Sequence, residues 1–110
     1  MSTDDIRVHH MLDAARKAVN LLRGRKREDL DGDETLTLAL TRLLEVLGEA
    51  AKAVSPDTKR RAPDIAWKAI AGTRDKLIHG YFDVDLNIVW AIVTNDLPPL
   101  IATLQQLISE

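Results

Sequence analysis

A chain of 110 residues with 45% apolar and 29% charged residues fits one small domain, and such a domain buries only roughly two-thirds of the surface its unfolded chain exposes, so a partner chain would help to stabilise it. The absence of cysteine excludes a disulfide framework, a thiolate metal site and a Cys nucleophile. A formal net charge of -2 excludes nucleic-acid binding driven by bulk charge and leaves only a local basic patch as a grip on a phosphate backbone. Aromatic residues at 4% leave the core to aliphatic packing, which favours helices. No apolar run approaches the roughly 20 residues that span a bilayer, and Met1 to Ile6 lacks a basic start followed by an apolar core. The expectation is a cytoplasmic protein without membrane contact.

Ser2 or Thr3 is placed to cap a first helix, with Asp4 and Asp5 in the turn where the helix dipole favours negative charge. Val8, Met11, Leu12, Ala15, Ala18, Val19 and Leu22 recur at steps of three and four, which predicts a helix from about Thr3 to Arg23 that stops at Gly24. His9 and His10 are adjacent on it and point about 100° apart, so they lack the i, i+4 spacing of a metal-gripping pair. Residues 23 to 34 lose this periodicity and read as a loop. Its basic cluster Arg23, Arg25, Lys26 and Arg27 is either a solvated connection or a track for phosphates.

A second helix is expected from near Asp33, with Leu36, Leu40, Leu43, Leu44, Leu47, Ala50, Ala51 and Val54 on one broad face. Ser55 followed by Pro56 predicts a short helix to about Arg61, where Lys59, Arg60 and Arg61 form a second basic spot. Pro63 and Asp64 are read as the start of a third helix that buries Ala66, Ala69, Ile70, Thr73 and Leu77, with Trp67 as a bulky anchor and Gly80 as its end. Asp83 or Asp85 caps a last helix in which Leu86, Trp90, Val93, Leu97, Leu100, Leu104 and Leu107 keep a heptad-like register, kinked at Pro98 and Pro99. No strand alternation and no internal repeat interrupts this series. The predicted fold is a single all-α domain over residues 1–110, an up-and-down bundle of four main helices plus a short helical turn.

The residues able to do chemistry concentrate between Gly72 and Phe82, which hold Arg74, Asp75, His79, Gly80 and Tyr81, the last being the chain's one tyrosine. On a continuous helix Asp75 and His79 are four residues apart and share a face, so the carboxylate could orient the imidazole. Arg74 is five residues from His79, about 140° round the cylinder, and the two do not converge within one chain. A two-fold dimer that apposes the segment with its copy could bring Arg74 and His79 of both chains into one cleft. The competing reading gives these residues structural tasks: Arg74 paired with an acid, His79 at a helix end, Tyr81 packed beneath it.

The series Arg74, four residues, His79, one residue, Tyr81 resembles the signature of the HEPN superfamily, in particular its HepT-like branch. The likeness extends to Gly48 through Lys52, Trp67 through Gly72, and Val84 through Trp90 to Asp96, Leu97 and Pro98. The resemblance implies an α-helical bundle that forms homodimers and a metal-independent endoribonuclease toxin without cofactor, with RNA as substrate and the motif residues Arg74 and His79 in the active site. It also implies a cognate minimal nucleotidyltransferase antitoxin that transfers AMP to the motif tyrosine, here Tyr81. Under that reading His79 acts as general acid or base, Arg74 holds the phosphate and Asp75 supports His79. Two alternatives belong to other classes: a non-catalytic nucleotide-binding or adaptor subunit of the nucleotidyltransferase, and a purely structural helical dimer.

Overall fold

The computed structural model of the chain describes residues 2–78 and 83–109. Its helices are α1 (Thr3–Leu22), α2 (Asp29–Gly32), α3 (Glu34–Ala53), α4 (Pro56–Arg61), α5 (Trp67–Ala71), α6 (Thr73–Leu77), α7 (Leu86–Ala91), a π-helical turn (Ile92–Asp96) and α8 (Leu97–Ser109). The fold is all-α. Its four arms are α1, α3, the broken α5–α6 pair, and the last helix running through α7, the π turn and α8. α1 packs on α3 and α8, and α3 carries α5 and α6 on another side. Side-chain contacts fix the directions. Arg7 near the start of α1 reaches the Ala53 carbonyl at the end of α3 at 2.9 Å. Arg16 and Arg27 meet Gln105 and Asn87 in reverse order along the last helix. The arms therefore alternate up and down, as the sequence predicts.

Local signals explain the long arms. Ser2 and Asp5 form a reciprocal capping box at α1. The Asp33 carboxylate accepts the Leu36 N–H at the start of α3, and Ser55 with Pro56 starts α4. Three expectations need correction. The segment read as a loop after Arg23 contains α2, because Leu30 turns inward and is only 1% exposed, and that burial holds a helical turn. The third helix starts at Trp67, not at Pro63. Ile65 and Trp67 are both buried, and on one helix two such positions would face about 200° apart, so a turn carries them instead, with the indole N–H donating to the Ala62 carbonyl at 3.0 Å. Ala66 and Ala69, expected on the buried face, are exposed.

The third correction concerns continuity. Gly72 interrupts the helix between α5 and α6, and α6 ends at Leu77 with Ile78 in an extended conformation. In the last helix, Asp85 is the cap, accepting from the N–H groups of Asn87 and Ile88. Pro98 and Pro99 lack the donors that an α-helix needs. The turn ahead of them widens so that Leu97 N–H reaches the Ile92 carbonyl, five residues back. The helix is continuous from Leu86 to Ser109 through this shift of register, and Val93, Leu97, Leu104 and Leu107 stay buried.

The α3–α5 crossing is tight at Gly48. A Cβ placed there would lie 2.9 Å from the Ile70 carbonyl oxygen, closer than a methyl group can approach. Gly→Ala within a helix ordinarily stabilises by about 1 kcal/mol. At position 48 the sign should reverse: Gly48→Ala is expected to destabilise by about 1–3 kcal/mol in urea unfolding. Gly32→Ala, where nothing lies within 4 Å of the added atom, should be neutral or mildly stabilising.

A second joint ties α1 to α4. The Asp4 carboxylate accepts from the Ser55 hydroxyl, from the Thr58 hydroxyl at 2.7 Å and from the Ser55 N–H at 3.1 Å. These bonds, the Ser55 hydroxyl foremost, hold its pKa below the ordinary carboxylate value. A folded-state pKa below the unfolded one stabilises the fold above the unfolded value and loses that contribution as pH falls through the folded value. Asp4→Asn should therefore lower the urea midpoint at about pH 6, and the difference from wild type should shrink towards about pH 3. A difference that is constant with pH would mean that the charge on Asp4 contributes nothing.

Candidate functional site

Gly48 sets where the motif segment lies. The close crossing lays the carbonyls of Ile70 and Ala71 against α3, and the turn at Gly72 then starts α6 along the same helix. Thr73 is buried and its hydroxyl donates to the Ile70 carbonyl at 2.7 Å, which fixes the start of α6. Leu77, fully buried, anchors its other end. Between these two anchors Arg74, Asp75 and Lys76 face solvent.

Arg74 is 66% exposed and its Nε lies 4.0 Å from Glu45 of α3, whose side chain is 22% exposed. An ion pair this open and at this distance contributes little to stability, so the guanidinium can exchange partners. Of the structural alternatives, the pairing of Arg74 with an acid is thus present in weak form. Glu45 went unnoticed in the sequence. Its spacing of three residues from Gly48, on the helix that Gly48 brings against the motif, is the signal that could have found it.

His79, Gly80, Tyr81 and Phe82 lie outside the described residues, and so do the expectations that fall on them. What precedes them bears on one: α6 ends at Leu77, so the i, i+4 relation between Asp75 and His79 has no continuous helix to rest on. The flanks are fixed. Ile78 and Val84 form an isolated antiparallel bridge, and Asp85 N–H donates to the Leu77 carbonyl at 2.8 Å. Ile78 N–H donates to the Arg74 carbonyl at 3.0 Å. The chain on both sides of residues 79–82 is therefore pinned together one turn from Arg74.

The other sequence candidates separate. His9 Nδ1 donates to the Asp5 carbonyl at 2.7 Å, while His10 faces a groove between α1 and α3. In the loop cluster, Arg25 bonds the Leu21 carbonyl and lies 3.7 Å from Asp33, and Arg27 bonds Asn87 and Asp31. Those two arginines serve the fold, leaving Arg23 and Lys26 as the cations of the cluster with no acidic partner within 4.0 Å among the described residues. On α4, Arg60 pairs with Asp57 and Lys59 sits over the Trp67 ring at 6.0 Å. Among the described residues no three His, Asp or Glu side chains converge as a metal site, and no helix is long and apolar enough to cross a membrane.

Beside α6, an open groove of about 640 Å³ runs between α5–α6 and the last helix. Ala69, Ile70, Ile92 and Leu100 form its apolar walls, with Lys76 and Asn95 among its polar groups. The exposed Ala66 and Ala69 and the widened π turn all open onto it.

The family model described as Ribonuclease HepT-like matches residues 11–107. The chain is 45% identical over 73 residues to "Probable ribonuclease HepT" of Thermococcus cleftensis, a match that covers 66% of each chain. It is 36% identical over 100 residues to a "Putative RNase" of Caldanaerobacter subterraneus subsp. tengcongensis, covering 91% of this chain and 89% of that one. A "Putative RNase" of Methanocaldococcus jannaschii is 28% identical over 102 residues, covering 91% of this chain and 94% of its own. No solved structure matches. With a family match that takes in α3, the α5–α6 arm and the last helix, the chain belongs to the Ribonuclease HepT-like family.

Proposed function

We propose that this protein is the toxin of a two-gene toxin–antitoxin pair: a metal-independent endoribonuclease, active as a cytoplasmic homodimer and silenced when a minimal nucleotidyltransferase transfers AMP to Tyr81. The observation that carries this reading is the family match across residues 11–107, which includes the whole motif from Arg74 to Tyr81. The exposed, weakly paired Arg74 supports it, since a group that must accept a phosphate cannot be locked in a buried ion pair.

In this reading the ribose 2'-hydroxyl gives its proton to one His79 as its oxygen bonds to the adjacent phosphorus. The bond from phosphorus to the 5'-oxygen breaks, and that oxygen takes a proton from the His79 of a second copy. Each proton transfer contributes typically about 10² to 10⁴ in rate. Arg74 binds the phosphate through its planar fork and stabilises the extra charge on the equatorial oxygens, which Lys would do less well. Asp75 supports His79 by charge. The apolar groove between α5–α6 and the last helix, adjoining Lys76, supports a homodimer that brings the two motifs together.

Arg74→Ala and His79→Ala are each expected to abolish cleavage of single-stranded RNA and growth arrest on expression. Because Arg74 makes only an exposed contact, Arg74→Ala should move stability by less than about 0.5 kcal/mol. EDTA should leave cleavage unchanged, and sedimentation at micromolar concentration should show a dimer. Full activity in His79→Ala, or a strict monomer, would remove the paired-histidine mechanism. A wild-type chain that arrests no growth and cleaves no RNA would favour the adaptor reading instead.

Attached AMP would add bulk and about one negative charge beside Arg74 and His79, occupying the place of the RNA phosphate. Co-expression with the cognate nucleotidyltransferase should add the mass of AMP to the peptide containing Tyr81 and suppress toxicity. Tyr81→Phe should stay unmodified and toxic. Mass on a serine or threonine, or enzymatic silencing of Tyr81→Phe, would show that Tyr81 is not the switch.

A further inference from the structure

A second basic site lies on α3, one helical turn from the Arg74–Glu45 contact. Between α1 and α3 runs a groove of about 300 Å³ lined by Arg7, His10 and Arg42, with Val46, Ala50 and Ala53 as a small-residue floor and Glu49 on one edge. That volume is at the lower end of the range for ligand sites and suits one nucleotide unit. The groove is built from residues with other anchors. Arg7 Nη1 donates to the Ala53 carbonyl at 2.9 Å, which parks its guanidinium at one end with further N–H groups to spare. Arg42 is exposed, and among the described residues no carboxylate lies within 4.0 Å of either guanidinium. Asp4, the acid that acts on Arg7 at longer range, has its oxygens taken up by Ser55 and Thr58.

Continuity with Arg74 gives the groove its meaning. Arg42 and Glu45 are three residues apart on α3, about 4.5 Å along the axis and about 60° round it. Glu45 meets Arg74 on one side, and Arg42 opens the groove on the other. Arg74 is thus linked to Arg42 through Glu45, one turn away on α3, and the groove runs on from Arg42 to His10 and Arg7 of α1 in a chain whose net charge is -2. Glu45 and Glu49 are the acids of α3 beside it, and Asp4 acts on Arg7 at longer range.

Resting on the ribonuclease reading above, we infer that the groove of Arg7, His10 and Arg42 is a subsite for a backbone phosphate of single-stranded RNA, one or two nucleotides from the scissile bond held at Arg74. Arg42 supplies the exposed cation, His10 an imidazole N–H, and Arg7 a fixed guanidinium at the far end. The small-residue floor leaves room for the ribose.

The test uses the full chain and a fluorescent eight-nucleotide RNA carrying 2'-O-methyl groups throughout, which cannot supply the attacking hydroxyl. Binding is followed by anisotropy over a salt series. Arg42→Ala should weaken binding about five- to tenfold and make the salt slope shallower by about 0.7, the loss of one phosphate contact on a single strand. His10→Ala should weaken it in the same direction, and Glu49→Gln should tighten it, a change of sign that a folding defect does not produce. The double variant Arg23→Ala with Lys26→Ala, in the other basic cluster, should bind like wild type. Wild-type affinity and salt slope in both Arg42→Ala and His10→Ala overturn the subsite while leaving the ribonuclease reading intact, all the more if Arg23→Ala with Lys26→Ala is the variant that weakens. A wild-type chain that neither binds this probe nor cleaves unmodified RNA overturns both.

Discussion

The contact on which the candidate site depends is between a hydrogen atom and a carbonyl. Gly48 lets α3 approach α5 until the Ile70 oxygen lies 2.9 Å from where a Cβ would sit. Any larger residue must push the α5–α6 arm outward, and cores answer such pressure with backbone shifts. The arm carries Arg74, whose distance of 4.0 Å from Glu45 is already at the outer edge of an ion pair. An outward shift of an ångström would separate them and move Leu77 out of its fully buried seat. The bridge between Ile78 and Val84 is attached to that same residue through Asp85 N–H. One missing methyl group thus fixes the arm, the arginine and the flanks of the motif together.

What was legible in the sequence follows the range of the interaction involved. Ser2, Asp33, Ser55 and Asp85 cap helices through bonds to N–H groups two or three residues on, and such local chemistry can be read from the chain directly. The α2 turn could not be read that way, because its cause is the burial of Leu30 in the core that the helices form together. The late start of α5 has the same origin in Ile65 and Trp67, which seek the core together and override the helix start offered by Pro63 and Asp64. For the site, the residue types at Arg74 and Asp75 were legible and their surroundings were not. Neither Glu45 nor the groove of Arg7, His10 and Arg42 is visible without knowing that α1 and α6 flank α3.

The last helix combines a local defect with a preserved pattern. Two successive prolines remove two donors, and the π turn answers by giving the Ile92 carbonyl to the N–H of Leu97. Widening a turn adds about one residue to it, which rotates the positions that follow relative to those before. The buried set shows the effect: Val89 faces the core before the shift, Val93 within it, then Leu97, Leu104 and Leu107 after it. Ile92 and Asn95, inside the widened turn, are left lining the open groove beside α6. The groove is therefore a consequence of how the chain accommodates Pro98 and Pro99, and its wall moves with that turn.

Electrostatics then decides whether an acidic chain can hold RNA. Bulk attraction is ruled out by the net charge of -2, so affinity must come from cations freed of local acids and aligned with the strand. A buried ion pair would make Arg74 costly to recruit, since its partner would be left unpaired in a low dielectric. The observed contact is a different case: Arg74 is mostly exposed, so separating it from Glu45 forgoes at most about 1 kcal/mol. A phosphate recovers more than that through a charge-assisted fork. The exchange leaves Glu45, whose side chain is 22% exposed, with Arg42 one turn away on the same helix. In the proposed reading, then, Glu45 holds the guanidinium over α3 until substrate arrives and yields it at little cost, and the strand that displaces it is already aligned with the cations of the neighbouring groove.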